Sequence, residues 1–314
     1  MIQSSIIFIV LPGIIVISII VSNISSHLLR GSYVWQYNKP HFYLSQRIYM
    51  RFEFLIMRLL HALSKTWIIR HSRFLQLFLV KSITALIQSE VYTLEECLKI
   101  IDTLYKEYPN VYVGIRICPC RQARGLYDKD LPNITDLTFV YSKTPGVKKN
   151  VQFTKYISIK KARDLLKKFD EYGLAHIMFG NCGNVIDGAF SLAICNCKRD
   201  VCIPLDVGTD LDLNKILYSK PHNLAIIDQD KCKGAKNCGK CLEVCGFEAR
   251  IIDKENGKIK IINDKCYGCA LCAHHCPEGA NTIRFLPQNK LNFYQNLFKN
   301  IKEQYLLKNY PNNI

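Results

Sequence analysis

The sequence predicts an α+β protein in four parts: an N-terminal transmembrane helix, a basic helical region, an α/β Cys-rich domain, and a compact cysteine-bound module of short β-hairpins and helices. Three observations predict it. The stretch Ile2 to Ile24 carries no charged side chain. From about Val91 the chain mixes alternating and amphipathic segments. Toward the end, cysteines recur at gaps of two and three residues.

The 314 residues are enough for about two domains, at ~150 residues each. With 49% of residues hydrophobic, the chain can build a core and is not of the disordered class. Fifteen cysteines in a chain this long do not suit a disulfide scaffold, which belongs to short secreted proteins. Their tight clustering suits metal or cluster ligation, and thiolate ligands require a reducing compartment.

Residues 1–26 are expected to form a transmembrane anchor. The twenty-three residues from Ile2 to Ile24 meet the ~20 that a span needs, and Pro12-Gly13 is tolerated in such helices. A cleaved signal peptide would need a basic start and a small-residue cleavage site. A buried core element is the other alternative. Positive charge follows the span and none precedes it, which places the rest of the chain in the cytoplasm as a single-pass membrane protein.

Residues 27–90 form the basic helical region. Between His27 and Ser89 nine Lys and Arg face one acid, Glu53. Arg47, Arg51, Arg58 and Lys65 fall within about 40° of each other on a helix. Leu55, Ile56, Leu59 and Leu63 lie to one side of that stripe. The helix either lies in a membrane interface against anionic lipid, or packs its apolar side on the following domain. No interleaved nucleic-acid motif accompanies the charge, so nucleic acid is not an expected partner.

Residues 91–210 read as the Cys-rich α/β domain. Thr93-Leu-Glu-Glu96 is a capping box that starts a helix through Tyr105, with Cys97 a structural thiol inside it. Val111 to Ile117 alternates like a strand and leads into Cys118-Pro-Cys120-Arg121. Leu137 to Tyr141 is a second short strand. Ser158 caps a helix through Glu171, ended by Gly173. Cys182 and Cys195-Asn-Cys197 fall in loop-like surroundings. A linker is expected over 206–220, the cysteine module over 222–286, and an amphipathic tail over 287–314.

The most specific motif is Cys266-x2-Cys269-x2-Cys272-x3-Cys276-Pro277. Three cysteines at two-residue gaps can wrap an iron–sulfur cluster, while the fourth points to a neighbouring one. Zinc knuckles need neither the third cysteine nor the Cys-Pro. Cys238, Cys241 and Cys245 precede Cys269, Cys272 and Cys276 by the same 31 residues. At these residues the chain resembles the bacterial-type two-cluster ferredoxins, with a ferredoxin-like fold. The resemblance implies two 4Fe–4S clusters with crossed ligation. Cys232, Cys238, Cys241 and Cys276 would hold one, and Cys266, Cys269, Cys272 and Cys245 the other. Two departures stand out. The gap from Cys232 to Cys238 holds five residues where the simplest members have two, and Gly246 stands where Pro is usual.

Six further cysteines lie upstream. The segments around Cys118, His176 and Cys195 resemble a Cys-rich domain that precedes two-cluster ferredoxin modules in some anaerobes. Four of the six thiols are expected to hold a third metal centre, another iron–sulfur cluster or zinc. Cys118, Cys120, Cys197 and Cys202 are the candidates, with Cys195 and Cys182 as alternates; the other reading is a set of packed thiols. Arg121 is either a charge partner for such a centre or a surface cation. His176 reads as a helix-end histidine and not a ligand.

The expected function is electron transfer through two 4Fe–4S clusters, at the cytoplasmic side of a membrane, to or from a partner oxidoreductase. An oxidoreductase, or a subunit of one, working at the middle thiols is the alternative, and a cluster-maturation accessory is a third. No dinucleotide fingerprint, phosphate loop or nucleophile elbow is present, so no catalytic residue is assigned.

Overall fold

The computed structural model describes residues 55, 57–84, 88–107, 111–126, 135–141, 155–180, 190–219 and 221–286. In chain order the first part comprises α1 (Trp67–His71), α2 (Arg73–Thr84), β1 (Gln88–Tyr92), α3 (Leu94–Glu107), β2 (Tyr112–Arg116), α4 (Pro119–Arg124), β3 (Asp136–Tyr141) and β4 (Lys155–Ile157). It continues with α5 (Ile159–Glu171), β5 (Ala175–Gly180), β6 (Phe190–Cys197), α6 (Ile203–Asp210) and α7 (Asn214–Leu217). The strands form one six-stranded sheet in the order β1-β5-β6-β3-β2-β4, and every pairing is antiparallel.

Both faces of this sheet are buried. On one, Phe139 and Ile194 of the sheet pack with Ile100 and Leu104 of α3 and with Leu166 and Phe169 of α5. Each such side chain contributes ~2–3 kcal/mol through burial. Opposite, Val91, Ala175, Ile177 and Cys197 pack against Ile203, Leu205, Leu213 and Leu217. Alternation along the strands assigns residues to faces. Ile194 therefore joins the first core, while Cys195 and Cys197 join the second.

The helix starts follow local chemistry. The Thr93 N–H donates to Glu96 Oε2 at 2.9 Å, and the Glu96 N–H donates to Thr93 Oγ1 at 3.2 Å. This is the expected capping box. Ser158 Oγ accepts from the Lys161 N–H at 3.2 Å and so caps α5.

Three expectations are corrected, and one left open between two readings is decided. Among the described residues no helix is long and apolar enough to cross a membrane. The long helix α3 has 14 residues, short of the ~20 needed, and it is amphipathic. Among the described residues the fold class is thus mixed helix and strand with no helix that could span a membrane, and the single-pass membrane localisation with a cytoplasmic bulk is withdrawn. The anchor assigned to 1–26 lies outside the described residues, as do Arg47, Arg51 and the tail at 287–314. Second, cations of the basic region face protein acids. Lys65 Nζ lies 2.9 Å from Asp210 and 3.3 Å from Asp206, and Arg70 is 3.0 Å from Asp210. Third, the segment 206–220 carries the end of α6 and all of α7, because buried Leu211, Leu213 and Leu217 fix it to the second core. Fourth, Cys195 and Cys197 lie in β6 and not in a loop, since six residues of β6 pair with β3.

The cysteine module follows, with β7 (Asn223–Ile227), α8 (Gly234–Asn237), α9 (Lys240–Glu243), β8 (Arg250–Ile252), β9 (Ile259–Ile261), α10 (Leu271–His274) and β10 (Asn281–Phe285). Strand β10 pairs with β7 and β8 with β9, both antiparallel. Phe247, Tyr267 and Leu271 of this module complete the second core of the sheet.

Polar contacts fix the same junction. His274 Nδ1 lies 2.8 Å from Asp170 Oδ2, its Nε2 lies 3.2 Å from Glu95, and His275 Nε2 bonds the Asp170 carbonyl at 2.8 Å. Burial alone would raise the Asp170 carboxyl, but hydrogen bonds from His176 and His274 outweigh it and hold the pKa at about 2. The hydrogen bond to Asp170 raises the His274 pKa, against the lowering effect of burial.

A raised histidine pKa gives stability that is complete below the unfolded value, ~6.5, and lost as pH rises through the folded value. The Asp170 contribution is lost only as pH falls through about 2. Thermal melting of the full chain should therefore weaken as pH rises past neutrality. His274→Gln should flatten that slope and cost ~1–3 kcal/mol on its acid side; an unchanged slope would show that the contact carries no linkage.

Candidate iron–sulfur site

The cysteine module is built twice. Gly239 and Ala270, 31 residues apart, both have positive φ (+70° and +67°) and both stand just before a one-turn helix, α9 and α10. Cys241 and Cys272 are the second residues of those helices. The Ala249 N–H donates to Cys245 Sγ and the Ala280 N–H to Cys276 Sγ, each at 3.3 Å. A matching sequence interval has become matching donor geometry.

The thiols fall into two groups that cross between the halves. Cys245 from the first half lines one cavity with Cys266, Cys269 and Cys272 of the second. Cys276 from the second half lies within electrostatic reach of Cys241, as does Cys232. Cys238 caps the C-terminal end of α8. Four cysteines around one cavity, and N–H groups aimed at sulfur, are the kind of donor set that a 4Fe–4S cluster takes.

The two departures have physical reasons. The longer Cys232–Cys238 gap forms the helical turn α8, closed by the Cys238 N–H on the Gly234 carbonyl at 3.2 Å, while the Gly234 N–H donates to Cys232 Sγ at 3.4 Å. Gly246 donates its N–H to the Val244 carbonyl at 3.1 Å, a bond proline cannot make, and a Cβ there would stand 3.0 Å from Leu205 Cδ2 of α6.

Electrostatics differ between the groups. Burial pushes the Cys269 thiol well up and raises Cys272 to about 11, with Arg250 acting against it. Arg250 is buried and its Nη2 donates to Cys272 Sγ at 2.7 Å. At Cys276 burial would raise the thiol, but the Asn281 side chain and the N–H groups of Asn281, Ala280 and Glu278 outweigh it and lower it. Sequence reasoning missed Arg250, whose only local signal is its place five residues after Cys245.

The middle thiols also converge. Cys118, Cys120, Cys197 and Cys202 share one buried cluster with Cys195 packed against it, and electrostatic contacts run from Cys118 through Cys120, Cys202 and Cys197 to Cys195. Cys182 lies outside the described residues. Among the described residues no three His, Cys, Asp or Glu side chains close around a point that could hold one metal ion. Arg121 is no surface cation: it is fully buried, and none of its guanidinium nitrogens has a hydrogen-bond partner. His176 sits in β5, not at a helix end, with Nδ1 2.6 Å from Asn196 Oδ1 and Nε2 3.5 Å from Asp170. Cys97 is fully buried in the first core.

Doubled helical turns, crossed thiol groups and N–H···S bonds define an iron–sulfur module of the ferredoxin type. Residues 223–280 match the family described as the 4Fe–4S dicluster domain. An uncharacterized ferredoxin of Methanocaldococcus jannaschii is 37% identical over 67 residues, which are 21% of this chain and 83% of that protein. By that match the chain belongs to the dicluster ferredoxin family. The pyruvate synthase subunit PorD of the same organism is 40% identical over 57 residues, 18% of this chain and 62% of the subunit. The archaeal-type glutamate synthase (NADPH) of Dehalococcoides mccartyi is 32% identical over 68 residues, 22% of this chain. The chain spans 12% of that synthase, 12% of an ABC transporter ATP-binding protein and 21% of an uncharacterized protein, both from Methanocaldococcus.

Gly268, between Cys266 and Cys269, has φ +63°, and a Cβ there would meet the Asn223 carbonyl oxygen at 2.2 Å. Gly268→Ala should cost ~1–3 kcal/mol in backbone strain alone and lower the iron bound per chain. Calorimetry with iron analysis on anaerobically purified protein checks it; unchanged melting and iron would refute the close approach.

Proposed function

We propose that the chain is an electron carrier whose module holds two 4Fe–4S clusters and passes electrons to or from a redox protein partner. Cys232, Cys238, Cys241 and Cys276 are assigned to one cluster, and Cys245, Cys266, Cys269 and Cys272 to the other. The observation that carries this reading is the crossed grouping of thiols, with Cys245 lining a cavity beside the three cysteines of the other half. When bound, such clusters supply one-electron reduction and oxidation at potentials of ~−700 to +450 mV.

The chain's own residues hold and tune the sites. The N–H groups of Gly234, Ala249 and Ala280 point at thiol sulfur, where they offset negative charge. Arg250 places a buried cation against Cys272. The apolar side chains of Ala225, Ala249 and Ile259 keep water from the thiols between them. Relatives named as a ferredoxin and as a pyruvate synthase subunit agree with a redox partner.

A redox titration followed by EPR on anaerobically purified full chain tests the proposal. Two one-electron couples are expected, and reduced viologen should be oxidised only until both centres are filled. Sustained reduction of a substrate by the chain alone would overturn the carrier in favour of an oxidoreductase. Arg250→Met should lower the potential of the centre assigned to Cys272 by on the order of 60 mV, a tenfold change for one electron. The cause is that the lost cation favours the more negative, reduced form.

A further inference from the structure

We infer that Cys118, Cys120, Cys202 and Cys197 hold a third iron–sulfur cluster, with Arg121 set against its negative charge. The inference goes beyond the two-cluster reading and uses none of its ligands.

Two separated stretches of chain supply the thiols, 118–120 and 197–202. Cys118 directly precedes α4, Cys120 lies within it, Cys197 ends β6, and Cys202 directly precedes α6. All four are buried, at 9%, 7%, 6% and 2% exposure, whereas Cys195 at the end of the row is half-buried. All four belong to one buried cluster on the second face of the sheet.

Arg121 is the second, independent observation. A guanidinium at 0% exposure with Nε, Nη1 and Nη2 all unbonded is costly to bury unless an anion answers it. A tetrathiolate centre is such an anion. Tyr218 gives a third sign, since its hydroxyl is buried without a hydrogen-bond partner and lies within electrostatic reach of Cys202, Cys197 and Cys120.

The surroundings favour iron–sulfur over a single zinc ion. The Tyr218 ring lies 5.6 Å from both Phe247 and Tyr267, and those two rings line the cavity of Cys245, Cys266, Cys269 and Cys272. One aromatic layer thus separates the thiol row from the module that carries the other clusters.

Iron, zinc and acid-labile sulfide per chain, measured on anaerobically purified full-length protein, test the inference. About twelve iron and twelve sulfide are expected, with no zinc. Cys120→Ala with Cys202→Ala should remove about a third of both and delete one EPR signal while leaving the others. About eight iron with one zinc would overturn the cluster in favour of a zinc site. About eight iron with no zinc would leave packed thiols only. Should the double variant not fold, the parent count alone decides. A shortfall in the ferredoxin-type module lowers parent and variant together, so the difference between them still reports on this site.

Discussion

The pleat of strand β6 sends Cys195 and Cys197 to one face of the sheet and Asn196 to the other, and most of the molecule is arranged around that division. Asn196 meets His176 across the strand pair, and His176 in turn reaches Asp170 at the end of α5. The opposite face receives thiols, aliphatic side chains of α6 and α7, and the aromatic rings of the ferredoxin-type module. A shift of β6 by one residue would exchange these two sets and bury the wrong chemistry on each side. Antiparallel pairing of β6 with both β3 and β5 holds the register.

The ferredoxin-type module was the most legible part of the sequence because its information is local. A cluster constrains cysteines a few residues apart, so Cys266, Cys269, Cys272 and Cys276 announce themselves, and the interval of 31 residues exposes the second copy. The capping box at Thr93 and the cap at Ser158 were readable for the same reason, since each joins residues three apart. The gathering of Cys118 and Cys120 with Cys197 and Cys202 was legible only as an expectation drawn from paired thiols.

Long-range packing was not legible. Residues 206–220 lack strong helix signals, with Gly208 and Pro204 nearby, and only contact with the second core makes them helical. Cys195-Asn-Cys197 looked like a loop because a cysteine–asparagine run carries little strand propensity, whereas pairing on both sides makes it strand. Arg121 could not be placed from its neighbours, since burial of a cation depends on what the whole fold brings over it. The basic stripe gave its charge but not its partners, which turned out to be Asp206 and Asp210, about 140 residues farther along the chain.

The carboxylate of Glu96 belongs to two structures at once. It accepts the Thr93 N–H at the start of α3, and it also receives Asn223 Nδ2 at 2.9 Å and faces His222 Nε2 at 3.1 Å, both at the start of the ferredoxin-type module. The first turn of α3 and the start of the module therefore share one acceptor. The module is not a bead threaded beside the sheet: to swing it free is to take two of the partners from the carboxylate that caps α3 and to open the second core.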